Sequence, residues 1–173
     1  MNSLFQVAEI ELTYKNRVNP LDRPQITNSR QSYDILLHNW SDQLDWIEEF
    51  NILLLNRANR VLGFYNVSKG GQTGTVVDAK VVFAAALKMK SNYIILSHNH
   101  PSGNINPSLQ DIQLTKKLVE GAKLLDLRIL DHIIVTPYSY YSFADEGKLC
   151  GKPNYARRVA ILWPKIHLNC FAI

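Results

Sequence analysis

The apolar run Tyr93-Ile94-Ile95-Leu96 passes without a break into Ser97-His98-Asn99-His100-Pro101-Ser102-Gly103, and Ser108 and Asp111 follow. The apolar residues predict a buried strand, and the Pro/Ser/Gly/Asn stretch after them predicts a loop that turns the chain. Ser108-x-x-Asp111 ahead of Leu114, Leu118, Ala122 and Leu125 predicts the start of a helix with its apolar face toward the core. A strand, a turn and a returning helix are therefore fixed in that order. Strand side chains alternate, so His98 and His100 project to one face with Cα atoms roughly 7 Å apart. A zinc–nitrogen bond is about 2.0–2.1 Å, so both rings can reach one ion, and Asp111 on the returning helix is the natural third ligand. Two imidazoles and a carboxylate leave a fourth tetrahedral position for water, the arrangement of a catalytic zinc. Each residue also has an ordinary structural explanation. A histidine is commonly a packing residue, and Ser108 with Asp111 forms a helix capping box whether or not a metal is present.

The whole spacing separates these readings. His98-x-His100, then Ser108, then Asp111, resembles the JAMM motif of the MPN/JAB metalloprotease superfamily. The wording His98 to Gly103, Asp131-His132-Ile133-Ile134 and Tyr141-Ser142-Phe143 resembles its bacterial RadC branch, with a likeness running from about Trp46 to Leu149. The resemblance implies a mixed β-sheet flanked by helices, a cytidine-deaminase-like α/β sandwich. It implies zinc held by His98, His100 and Asp111, and hydrolysis of peptide or isopeptide bonds with a water activated by glutamate. Ser108 would donate to the oxyanion of the tetrahedral intermediate, in competition with its capping role.

The helical zincin motif H-E-x-x-H is absent, so the proton acceptor must lie elsewhere. In the JAMM pattern it is a glutamate on an early strand, and Glu48 and Glu49 are the candidates. Period two puts Glu48 on the face of Phe50, Ile52 and Leu54 and Glu49 on the face of Asn51, Leu53 and Leu55. The RadC-like wording Glu-x-Phe matches with Glu48 as the base. Asp131-His132 reads as strand and as support for the ligand histidines, since a metal-bound imidazole needs its other nitrogen oriented. The RadC branch is also associated with DNA repair and mobile elements, so a nucleic-acid factor is the alternative function. A non-catalytic interaction scaffold is the third, because some MPN domains have lost the metal.

The rest of the chain sets the context. With 173 residues, 46% hydrophobic and 20% charged, it suits one globular domain. No apolar run reaches the roughly 20 residues of a membrane span, and Met1-Asn2-Ser3-Leu4 lacks a signal-peptide pattern, so a cytoplasmic protein is expected. Cys150 and Cys170 read as free thiols. The formal charge of +4 is a small excess with scattered pairs, Lys116-Lys117 and Arg157-Arg158, which suits solvated surface better than a nucleic-acid footprint. Gly70 to Gly74 lacks the signature of a nucleotide loop.

Three regions follow: 1–45, an N-terminal strand (Val7 to Tyr14) and helix packed on the domain; 46–149, the metallohydrolase domain; and 150–173, a tail outside the family pattern. The first helix is expected to be capped by Asn28 or Ser29 and to bury Tyr33, Leu36, Leu37 and Trp40. A strand from Trp46 to Leu55 should pair with Val61 to Val67 across a four-residue turn. Asp78 should cap a helix burying Val82, Ala85, Ala86 and Met89. Leu127 to Leu130, His132 to Val135 and Tyr140 to Phe143 are strand-like.

Overall fold

Glu49-Phe50-Asn51-Ile52-Leu53-Leu54-Leu55 is buried at every position, and a strand with no exposed face has to lie inside a sheet covered on both sides. This strand, β1 (Glu49–Leu55), has β2 (Val61–Lys69) on one side and β3 (Tyr93–Asn99) on the other, both antiparallel to it. β3 pairs in parallel with β4 (Arg128–Val135), and β5 (Tyr140–Ser142) closes the order β2-β1-β3-β4-β5. The computed structural model describes residues 18–71 and 76–149. The expected strand over Val7 to Tyr14, most of the glycine-rich loop, Cys150, Cys170 and the 150–173 tail lie outside the described residues.

Alternation along the strands builds two cores. Phe50, Ile52, Leu54, Ile94 and Leu96 face α2 (Ala79–Lys88) and α3 (Leu109–Leu124), meeting Val82, Ala86, Leu118 and Ala122. Leu53, Leu55, Ile95, Ile133 and Val135 face α1 (Ser29–Asn39), meeting Tyr33, Leu36 and Trp40. The result is a mixed five-stranded sheet between helical layers, the α/β sandwich expected from the order of elements. Leu36, Leu53 and Leu96 are fully buried, each contributing about 1.5–3 kcal/mol from removal of apolar surface from water. Asn28 caps α1 through the Gln31 amide, Asp78 caps α2 through the Lys80 amide, and Ser108 caps α3 through the Asp111 amide. Among the described residues no helix is long and apolar enough to cross a membrane.

Several boundaries differ from the sequence reading. β1 begins at Glu49, not Trp46; residues 42–47 are turns and bends, and Trp46 is exposed. The cause is Asn99, whose carboxamide donates to the carbonyls of Leu44 and Ile47 and accepts from the Glu49 amide, so the chain is tied into a loop until it reaches the sheet. The hairpin turn runs over 56–60, one residue longer than expected, with Asn56 accepting from the amides of Ala58 and Arg60 and Asn59 in the left-handed region at φ 55°. The runs expected over 127–130 and 132–135 are one strand, Arg128–Val135, with a register shift between Ile94 and Ile95 at which Leu130 is the extra residue and Asp131 pairs with Ile95.

Candidate metal centre

β3 runs through the middle of the sheet to Asn99, so His98 ends a buried strand while His100 stands just past it. Their side chains fall on the same face and converge, with Nε2 atoms 3.0 Å apart. The loop from Pro101 reverses the chain, with Gly103 at φ 76°, a value that a Cβ disfavours. α3 then opens beside the histidines. Its cap is reciprocal: Asp111 N–H donates to Ser108 Oγ at 3.1 Å, and Asp111 Oδ2 accepts from the Ser108 amide at 2.7 Å and hydroxyl at 2.6 Å. This capping box fixes the carboxylate that completes the group. Asp111 Oδ1 lies 3.2 Å from His98 Nε2, and Oδ2 lies 3.7 Å from His100 Nε2.

His98, His100 and Asp111 thus form the one group of three metal-ligating side chains brought together among the described residues. At metal–ligand bonds of about 2.0–2.1 Å, tetrahedral ligand atoms stand about 3.3 Å apart, and the separations of 3.0, 3.2 and 3.7 Å fall on either side of that value. Proton positions agree. His100 Nδ1 faces the Asn104 carbonyl, which only accepts, so the neutral ring holds its proton there and turns the Nε2 lone pair to the other ligands. The donor set and its spacing fit a small divalent cation.

The charge balance of the group attracts cations, and a proton competes with a metal for it. Contact with Asp111 is the main reason the His100 pKa is raised, against the opposing effect of burial, with the Asn104 carbonyl and the charges of Asp111 and Glu48 adding to it. Burial alone would push the Asp111 carboxyl up, but its contacts with the His100 and His98 rings and Ser108 outweigh it and hold the group well below the usual carboxylate range. The cluster therefore keeps a full negative charge beside two imidazoles.

The two candidate glutamates diverge as period two requires. Glu49 is 1% exposed and turned away, its Oε1 accepting from Ser41 Oγ at 2.7 Å and paired with Lys69 Nζ at 2.9 Å. Glu48, one residue before β1, lines the same cleft as His98, His100, Ser108 and Asp111, a space of about 490 Å³. Phe50 pairs with His98 in register, and continuing that register sets Glu48 across from His100.

Of the other residues of the cleft, Phe50 and Leu114 were read from the sequence as strand and helix faces, while Val76, Val77 and Gln110 carried no signal there. Phe50, Val76, Val77 and Leu114 supply an apolar wall, and Gln110 a polar one. His132 is not among the ligands; it is fully buried behind His98, its Nε2 2.8 Å from His98 Nδ1 and its Nδ1 2.6 Å from Thr115 Oγ1. Thr115 stands four residues after Asp111, and helical spacing was the only clue that both serve one face.

Residues 26–148 match the family described as the RadC-like JAB domain. A UPF0758 protein of Flavobacterium johnsoniae is 42% identical over 142 residues, 82% of this chain and 61% of that protein. Another, from Porphyromonas gingivalis, is 41% identical over 128 residues, 73% of this chain and 56% of the relative. A third, from Symbiobacterium thermophilum, is 33% identical over 145 residues, 84% and 61% of the two chains. The chain spans about six-tenths of the length of these curated relatives. The family match begins at Ile26, earlier than the Trp46 where the sequence likeness becomes legible, and takes in α1. With a family match over most of its length, a mixed sheet between helices and a His-His-Asp group that could hold a metal at the exit of the third strand, the chain belongs to the RadC-like JAB domain family.

Proposed function

We propose that this chain is a zinc-dependent hydrolase of peptide or isopeptide bonds, with His98, His100 and Asp111 holding the ion and Glu48 as general base. The observation that carries this reading is a second carboxylate in the cleft: Glu48 shares the space with the three ligands and is not one of them. When bound, the ion would polarise the amide carbonyl and make water acidic near neutral pH.

The protein's own groups supply the rest. Two neutral imidazoles and one carboxylate leave a single net negative charge, so the ion keeps most of its Lewis acidity. Glu48 lines the cleft from the β1 side and Asp111 from the α3 side. Glu48 would take the proton of the attacking water and return it to the leaving nitrogen. Ser108 lines the cleft too, but its one hydroxyl proton goes to Asp111 in the capping box. Donation to a developing oxyanion therefore requires that proton to turn away from Asp111. The apolar side chains of Phe50, Val77 and Leu114 lower the dielectric along one side of the cleft and strengthen these contacts.

Glu48→Gln tests the assignment. Turnover of a peptide or isopeptide substrate should fall by about 10²–10⁴ while zinc affinity stays at the wild-type value. Undiminished turnover, or loss of zinc along with activity, would remove Glu48 from its role as base.

A further inference from the structure

We propose that Thr115 and His132 form a buried relay that fixes the proton of His98 on Nδ1 and so keeps its Nε2 lone pair free for a metal. The inference rests on the metal-holding part of the function proposed above and not on hydrolysis. It starts from one hydroxyl. Thr115 Oγ1 donates to the Asp111 backbone carbonyl at 2.6 Å and lies 2.6 Å from His132 Nδ1. A hydroxyl has one proton, and the carbonyl can only accept, so His132 Nδ1 must carry the proton of the second bond. The neutral imidazole then has a bare Nε2, which at 2.8 Å accepts from His98 Nδ1. His98 is left with its lone pair on Nε2, the atom facing His100 and Asp111.

The opposite order has one point in its favour. Asp111 Oδ1, 3.2 Å from His98 Nε2, would welcome a proton on that nitrogen. Reversal, however, gives Thr115 two acceptors and one proton, leaving a lone-pair contact at 2.6 Å on one side. Thr115 is 2% exposed and His132 0%, so no water relieves it. The rings are held as well. Phe143 stacks on His132 with centroids 4.9 Å apart and planes at 15°, and Phe50 meets its edge at 5.6 Å. These contacts hold the plane of the ring in which both nitrogens make their bonds. The relay also ties the two ligand-bearing elements together, since it begins at the backbone of Asp111 on α3 and ends at the ring of His98 on β3.

Nitrogen-15 spectra of the histidine rings in metal-free wild-type protein read the tautomers directly. Protons on Nδ1 of both His98 and His132 are expected; a proton on Nε2 of His132 overturns the relay. Zn²⁺ binding, measured by competition with a chelator, gives the second readout. Thr115→Val should lower zinc affinity by about 10–100-fold, the usual effect of losing a group that orients a ligand, while Thr115→Ser should restore it. Equal affinity in a folded Thr115→Val protein, or an equal loss in Thr115→Ser, would show that the hydroxyl does not set the ligand. Neither readout uses turnover. A protein that passes both and cleaves no amide bond would sink the hydrolase reading and support the relay.

Discussion

Asp131 shows how far a single side chain can depart from its surface behaviour in this sheet. It is 0% exposed on β4, and burial raises its pKa to about 7 against the opposing bonds from Ser142, the Ala144 amide and the His132 amide. A carboxyl whose folded pKa is raised contributes fully below its unfolded pKa, and that contribution is lost as pH climbs through the folded value. Asp131 therefore costs the fold stability as pH rises from about 4 through about 7. Asp131→Asn removes the charge and keeps the shape, with its carboxamide oxygen available to the two amides and its nitrogen to Ser142 Oγ. Between pH 5 and pH 8 the unfolding free energy of wild type relative to this variant should fall by about 2–3 kcal/mol. Urea titrations of both proteins at the two pH values check it, because other titrating groups cancel in the difference; a constant difference would mean Asp131 is ionised throughout. At this scale the sequence told some residues apart and not others. That His98, His100 and Asp111 come together was legible because strand alternation and a helix cap are local rules, though only the family resemblance set them apart from packing and capping residues, and the same alternation turned Glu48 to the cleft and Glu49 to Lys69. Thr115 was not, because its bond to His132 depends on how α3 settles over β4, which no local pattern encodes.

Among the elements, α3 carries the most consequence, since its capping box and the carboxylate it offers to a metal are one object. The hydroxyl of Ser108 takes the Asp111 amide and gives its proton to the Asp111 side chain, so the helix end and the site are stabilised by the same contacts. Ser108→Ala should cost about 1 kcal/mol of unfolding free energy as a lost cap, and should also lower zinc affinity by about 10–100-fold as the carboxylate loses its orientation. Ser108→Thr keeps the hydroxyl and should keep both. Denaturant melts paired with zinc titrations separate the effects, and stability lost with affinity intact would show that the cap does not aim the ligand. The helices were legible in the sequence, down to the caps Asn28, Asp78 and Ser108, because caps and 3.6-residue periodicity are short-range. Strand limits were less so. β1 starts at Glu49 because Asn99, between the two histidines and facing the other way, clamps Leu44 and Ile47 from across the sheet. β4 runs on through Asp131, joining two runs that were read separately, and Ser142 and Ala144 satisfy the carboxyl inside the core.

For the whole molecule, the candidate metal site is a joint between elements that meet only in the folded state. His98 and His100 come from the exit of β3 and Asp111 from α3, so their spacing exists only once the helix has packed Leu118 and Ala122 onto the sheet. An ion that needs all three binds the native state and not the unfolded chain, and mass action converts that preference into stability. At free zinc of 100 times the dissociation constant the gain is about 2.7 kcal/mol. A chain of this size shifts by about 2–4 °C per kcal/mol, so its melting temperature should rise by about 5–10 °C. Excess chelator should reverse the rise. His98→Ala is the control, because it removes a ligand and the relay's terminus together and should abolish the response. Asp131→Asn lies outside the ligand group and should retain it. Differential scanning fluorimetry across a zinc series decides the point. A melting temperature that ignores zinc in the wild type would mean that the three side chains, close as they stand, do not act as one site.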